Sequence, residues 1–135
     1  MAVMERDSNV AVTAIVVTAD DKARLCLQKA FAASQWRLIF VKDGHEARAL
    51  LAAEAVPVLI VDAEMGSPSW RELIEQAPGT KTGNGLRIIV LTHRASDRLW
   101  AEVYNLGGYD LLSKPLAADD VRWVVQSALS EGNGA

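Results

Sequence analysis

One cysteine, two histidines and no long apolar run set the first limits on this 135-residue chain. The single thiol, Cys26, can close no internal disulfide. Within a helical segment it reads as a buried or half-buried side chain without chemistry of its own. His45 and His93 stand apart, with no cysteine or second histidine at ligand spacing, so neither marks a metal site. No apolar stretch approaches the roughly 18 residues of a membrane span, and residues 1–9 are too polar for the core of a signal peptide. A cytoplasmic protein without membrane contact is expected. Charge of one sign is also scarce: the net charge is −3 with no basic cluster, which argues against a nucleic acid gripped through its phosphates.

What is present is half apolar, enough for one domain with one sizeable core. The organising stretch runs from Val56 to Met65. Its residues 58–61 are unbroken Val-Leu-Ile-Val, the pattern of a central parallel strand buried on both faces, and Asp62 closes it. Ligands of open α/β sheets gather at the carboxyl ends of the strands, so Asp62 stands where a reactive side chain would be displayed; a turn or helix cap is the plainer reading.

Around it the chain alternates. Strands are expected over 12–18, 36–41, 58–62, 86–91 and 109–112. The helices start near Asp20 or Asp21, after Asp43-Gly44, at Ser69, at Ser96 and at Ala118, the last ending near Leu129. Ala23, Leu27, Ala30 and Phe31 share one helix face; Val121, Val124, Val125, Ala128 and Leu129 share another. Gly107-Gly108 reads as a left-handed cap. Residues 78–85 read as a flexible connection. Their Gly79, Lys81, Thr82, Gly83 and Gly85 suggest a phosphate loop, but this loop leaves a helix and enters a strand, the reverse of a P-loop. Residues 12–130 form the domain, with flexible ends over 1–11 and 131–135. Five strands alternating with five helices predict an α/β fold, a doubly wound parallel sheet covered on both faces.

The ends of strands one, three, four and five then bring together residues 18–21, Asp62, Thr92 and Lys114. A carboxylate can accept a phosphoryl group, an ammonium can neutralise it, and a hydroxyl can hydrogen-bond one of its oxygens. With Val-Leu-Ile-Val-Asp-x-x-Met at 58–65, Ile-Ile-Val-Leu-Thr at 88–92 and Gly-Gly-Tyr-Asp-Leu-Leu-Ser-Lys-Pro at 107–115, the chain resembles the receiver domain of bacterial two-component response regulators over nearly its whole length. The resemblance implies a flavodoxin-like sheet of order 2-1-3-4-5. It makes Asp62 the phosphoacceptor, Thr92 the switch hydroxyl and Lys114 the conserved amine. It also implies magnesium at the acidic pocket, a histidine kinase or phosphotransfer protein as donor, and a downstream protein target. Apart from taking up and losing its own phosphoryl group, such a chain is no enzyme.

Three departures bear on that reading. Thr18 and Ala19 occupy the places of the two adjacent acids that the family uses, with Asp62, to hold magnesium; Asp20 and Asp21 come one or two positions late. Magnesium requires near-ideal octahedral geometry at about 2.0–2.1 Å, so Asp20, Asp21 or Glu64 would serve only if the loop bends back. Leu111 replaces an aromatic switch residue, and Gly66 replaces a proline. Glu64 is expected to face water rather than a cation.

Trp123 lies about 180° from the valine stripe of its helix, at 100° per residue, and so faces solvent. With Trp100 and Tyr104 it marks the fourth and fifth helices as a dimer or target interface. Three functions therefore stand: a stand-alone receiver phosphorylated on Asp62, a divergent pseudo-receiver that signals by binding alone, and a flavodoxin-like cofactor carrier. The last is disfavoured by two acids where a flavin phosphate would sit.

Overall fold

Five short apolar runs become the strands of a single parallel sheet. The computed structural model describes residues 13–32 and 34–134. Among them β1 (Thr13–Val17), β2 (Arg37–Val41), β3 (Val58–Asp62), β4 (Arg87–Thr92) and β5 (Asp110–Ser113) alternate with α1 (Asp21–Phe31), α2 (Gly44–Ala53), α3 (Trp70–Gln76), α4 (Asp97–Leu106) and α5 (Ala118–Gly134). The strand order is β2-β1-β3-β4-β5, as the resemblance implied. Every pairing is parallel.

β3 is central because it tolerates no water on either face: all five of its residues are buried, including the terminal Asp62. Two apolar layers result. Ala47 and Leu51 of α2, Trp70, Leu73 and Ile74 of α3, and Val103 of α4 pack on one face of the sheet. Ala23, Leu27, Ala30 and Phe31 of α1 and Val121, Val124 and Val125 of α5 pack on the other.

Helix starts follow local chemistry. Asp20, Asp43, Ser69 and Ser96 each accept amide hydrogen bonds as N-caps, Ser69 within a full capping box with Glu72. Gly107, at φ 105°, ends α4 in the left-handed region. An added Cβ at Gly44 would lie 2.4 Å from the Pro68 carbonyl, so the start of α2 packs directly on the loop that follows β3.

Some boundaries differ from expectation. Residues 78–85 are not a loose connection. They form two 3-10 turns tied down by Lys81 N–H to the Leu51 carbonyl and by Thr82, whose hydroxyl bridges the Val56 amide and carbonyl. α5 continues past Leu129 to Gly134, where fraying was expected. Val12, placed in β1, and the segment 1–11 lie outside the described residues. Among the described residues no helix is long and apolar enough to cross a membrane.

Candidate functional site

Parallel register is what gathers the site. Val17 pairs with Val61 and Asp62 with Leu91, while Thr92 pairs with Ser113, so the residues that leave β1, β3, β4 and β5 meet at one edge. Asp62 is 3% exposed there. Its Oδ2 accepts from the Lys114 ammonium at 2.5 Å and from the Thr18 hydroxyl at 2.9 Å, and its Oδ1 accepts from the Glu64 amide at 3.0 Å. Burial pushes the Asp62 carboxyl up, but the hydrogen bonds from Lys114, the Glu64 amide and Thr18 outweigh it and hold the group below its ordinary value. For Lys114 burial acts downward, and the hydrogen bond and charge of Asp62, joined by Asp20, carry it above its ordinary value.

Lys114 is the hub. Its Nζ also lies 3.3 Å from Asp20 Oδ2 and 3.4 Å from Glu64 Oε1. Asp20 spends its other oxygen capping α1, accepting from the Lys22 and Ala23 amides at 3.0 and 3.2 Å. His93 Nε2 approaches Asp20 at 3.5 Å. Thr92, fully buried, donates its hydroxyl to Glu64 Oε2 at 2.6 Å and accepts from the Arg94 amide at 2.9 Å.

The sequence-derived set thus divides. Asp62, Lys114 and Thr92 come together as expected, and Asp20 joins them. Asp21 does not: it sits exposed in the first turn of α1. Glu64 faces water in part, its side chain 37% exposed, but its carboxylate also has partners in the site. The turn after β3 brings it back across the strand ends onto Thr92 and Lys114. In the sequence Thr18 stands only for the loss of an acid, yet its hydroxyl is a direct partner of the Asp62 carboxylate. Its exit from an apolar strand into Ala-Asp-Asp carried no signal of that bond, which spans 44 residues.

Magnesium does not fit this donor set. Asp20, Asp62 and Glu64 surround an ammonium rather than an empty point, and no group of acids, histidines or cysteines among the described residues is arranged to hold a metal. A hollow of about 310 Å³ opens beside Asp20, His93, Lys114 and Pro115, and Asp62 does not line it.

The model of the response regulator receiver domain matches residues 10–126. The chain belongs to this family. It is 31% identical over 108 residues to the response regulator MprA of Mycobacterium tuberculosis, covering 79% of this chain and 46% of that protein. The receiver therefore spans about half the length of that curated relative. In three dimensions it is similar to a CheY-like receiver domain protein from Methanospirillum hungatei, with TM-score 0.80, 18% identity and 92% and 98% of the two chains covered. Chemotaxis response regulator CheY4 of Vibrio cholerae gives TM-score 0.78 at 18% identity, covering 88% and 99%. These two likenesses concern the fold alone.

Family membership carries the usual receiver roles only as far as the residues allow. Receiver domains of this family work with histidine kinases or phosphotransfer proteins and with downstream effectors, and they generally bind magnesium in an acidic pocket. Here the acceptor-type carboxylate, the amine and the hydroxyl are retained, and the first-strand acids are replaced by Thr18 and Ala19.

Proposed function

We propose that this receiver signals through its contacts with partner proteins and not through phosphoryl transfer to Asp62. The observation that carries the reading is the engagement of Asp62. Both its oxygens are hydrogen-bonded inside the protein, it is 3% exposed, and its counter-charge is Lys114. A phosphoryl group arriving at Oδ2 would have to displace Lys114 or Thr18, and one arriving at Oδ1 would compete with the Glu64 amide, in either case without a divalent ion to neutralise the developing charge, on which such transfers mostly rely.

Phosphorylation of Asp62 by a histidine kinase or phosphotransfer protein is the second reading. It is favoured by the meeting of Asp62, Thr92 and Lys114 and by a carboxyl held in its ionised, nucleophilic form. Acetyl phosphate with magnesium, followed by intact-mass measurement, separates the two. No added phosphoryl group is expected; one group that is lost in Asp62→Asn would establish the second reading instead. Neither reading includes turnover of an external substrate, and both belong to a cytoplasmic protein. A flavodoxin-like cofactor carrier has nothing in its favour beyond the shared sheet.

The partner surface of this proposal is the face of α4 and α5. Trp100, Tyr104 and Trp123 are exposed by 48%, 64% and 66%, and the rings of Trp100 and Tyr104 stack at 5.4 Å. With Gly108, Tyr109 and Asp110 they line one hollow of about 290 Å³. Stacked rings left in water favour burial against a second copy or a downstream target. Trp123→Ala is expected to weaken self-association or target binding, measured by sedimentation and by titration. Unchanged behaviour in both would remove this surface from the proposal.

A further inference from the structure

We propose that Glu64 is a built-in occupant of the pocket's anion site, a role that rests on the phosphorylation-independent reading above. It holds Thr92 and the start of the β4–α4 connection in the arrangement an oxyanion would otherwise have to impose. The local sequence explains its reach. Asp62 Oδ1 accepts from the Glu64 amide at 3.0 Å, and the Met65 amide bonds the Asp62 carbonyl at 3.1 Å, so the chain turns sharply after β3. The Ala63 amide bonds the Leu91 carbonyl at 2.7 Å and keeps the turn against β4. The Glu64 side chain thereby crosses to the end of the neighbouring strand.

Its carboxylate then meets three donors at the ends of β4 and β5. Oε2 accepts from the Thr92 hydroxyl at 2.6 Å; Oε1 accepts from the His93 amide at 3.2 Å and lies 3.4 Å from the Lys114 ammonium. A hydroxyl, an amide and an ammonium converging on one point are what a small oxyanion requires. Charge explains why the occupant comes from the chain itself. Asp20, Asp62 and Glu64 already face a single ammonium, and a dianionic phosphoryl group would add to that excess with no cation to offset it. Glu64 thus holds the His93 amide directly and the Arg94 amide through Thr92, at the start of the segment that leads to α4 with Trp100 and Tyr104. The state of this segment is independent of phosphorylation.

The side chain of Glu64 is 37% exposed, so its place is reachable from solvent and can be refilled. The test uses the full chain labelled with ¹⁵N. In Glu64→Ala the His93 amide is expected to exchange about tenfold faster or more, since it loses a hydrogen bond to a charged acceptor. Added formate or inorganic phosphate should restore the slow exchange and the His93 and Arg94 amide shifts, whereas chloride at equal ionic strength should not. Unchanged His93 exchange in Glu64→Ala, or restoration by neither oxyanion, overturns the proposal. Should Glu64→Ala not fold, Glu64→Gln keeps the shape and loses the charge: faster His93 exchange supports the role and unchanged exchange refutes it. An Asp62 adduct in the phosphodonor experiment would overturn the phosphorylation-independent reading while the His93 result still decides Glu64. The absence of an adduct with unchanged His93 exchange removes the Glu64 role alone.

Discussion

Lys114→Met is expected to destabilise the protein by about 3–5 kcal/mol, because it strands a buried charge rather than merely deleting a contact. The side chains of Lys114 and Asp62 are 3% and 4% exposed, so water cannot take over from the lost ammonium. Asp20 and Glu64 lose the same counter-charge. Asp62→Asn added to Lys114→Met should recover much of the loss, since it removes the stranded charge while Thr18 and the Glu64 amide keep a partner. Urea unfolding of the two variants measures this. A Lys114→Met variant within about 1 kcal/mol of wild type would contradict a buried pair.

The pH dependence follows with a definite sign. In the wild type the folded-state pKa of Asp62 lies below its ordinary value of 3.8, so its contribution is complete above that value and is lost as pH falls through the lower, native one. In Lys114→Met the largest favourable hydrogen bond is gone and burial remains, which favours the protonated acid in the folded state. The stability gap between variant and wild type is therefore expected to narrow as pH falls from 7 toward about 5. A gap that widens would show that Asp62 is well solvated.

Trp70→Ala is expected to cost about 3–5 kcal/mol, as large aromatic truncations in cores do. Trp70 is 2% exposed and packs in the layer that holds Leu73, Ile74, Val61 and Val90. It opens α3, a helix of only seven residues, too short to persist without tertiary packing. The loop between Asp62 and α3 depends on that anchor. Trp123→Ala provides the internal control: the same residue type, 66% exposed, should change stability by no more than about 0.5 kcal/mol. Thermal and urea unfolding of the pair would show whether burial or ring chemistry sets the cost. Similar losses in both would refute the packing described for Trp70.

The sequence was most legible where neighbours along the chain decide the outcome. Continuous apolar runs marked β3 and β4, helical stripes marked the inner faces of α1 and α5, and Asp43, Ser69, Ser96 and Gly107 marked helix ends through bonds within a few residues. It was least legible at residues 78–85. Three glycines suggested looseness there, but Thr82 reaches back 26 residues to the Val56 backbone and ties the segment down. The exposure of Trp123 could be derived from helical geometry; the burial of Trp70 depends on which face of the sheet a short helix meets.

Composition and periodicity by themselves determined the alternating fold, the central place of β3 and the display of Asp62, Thr92 and Lys114 at strand ends. Only the tertiary structure decided that Thr18 is a partner of Asp62 and that Glu64 bends back onto Thr92, through bonds spanning 44 and 28 residues. The physical reason is one of tolerance. A strand or helix follows from a pattern repeated over many residues and survives errors at any one of them. A hydrogen bond between two strand ends requires register and turn geometry to agree to a few tenths of an ångström, which no local pattern specifies.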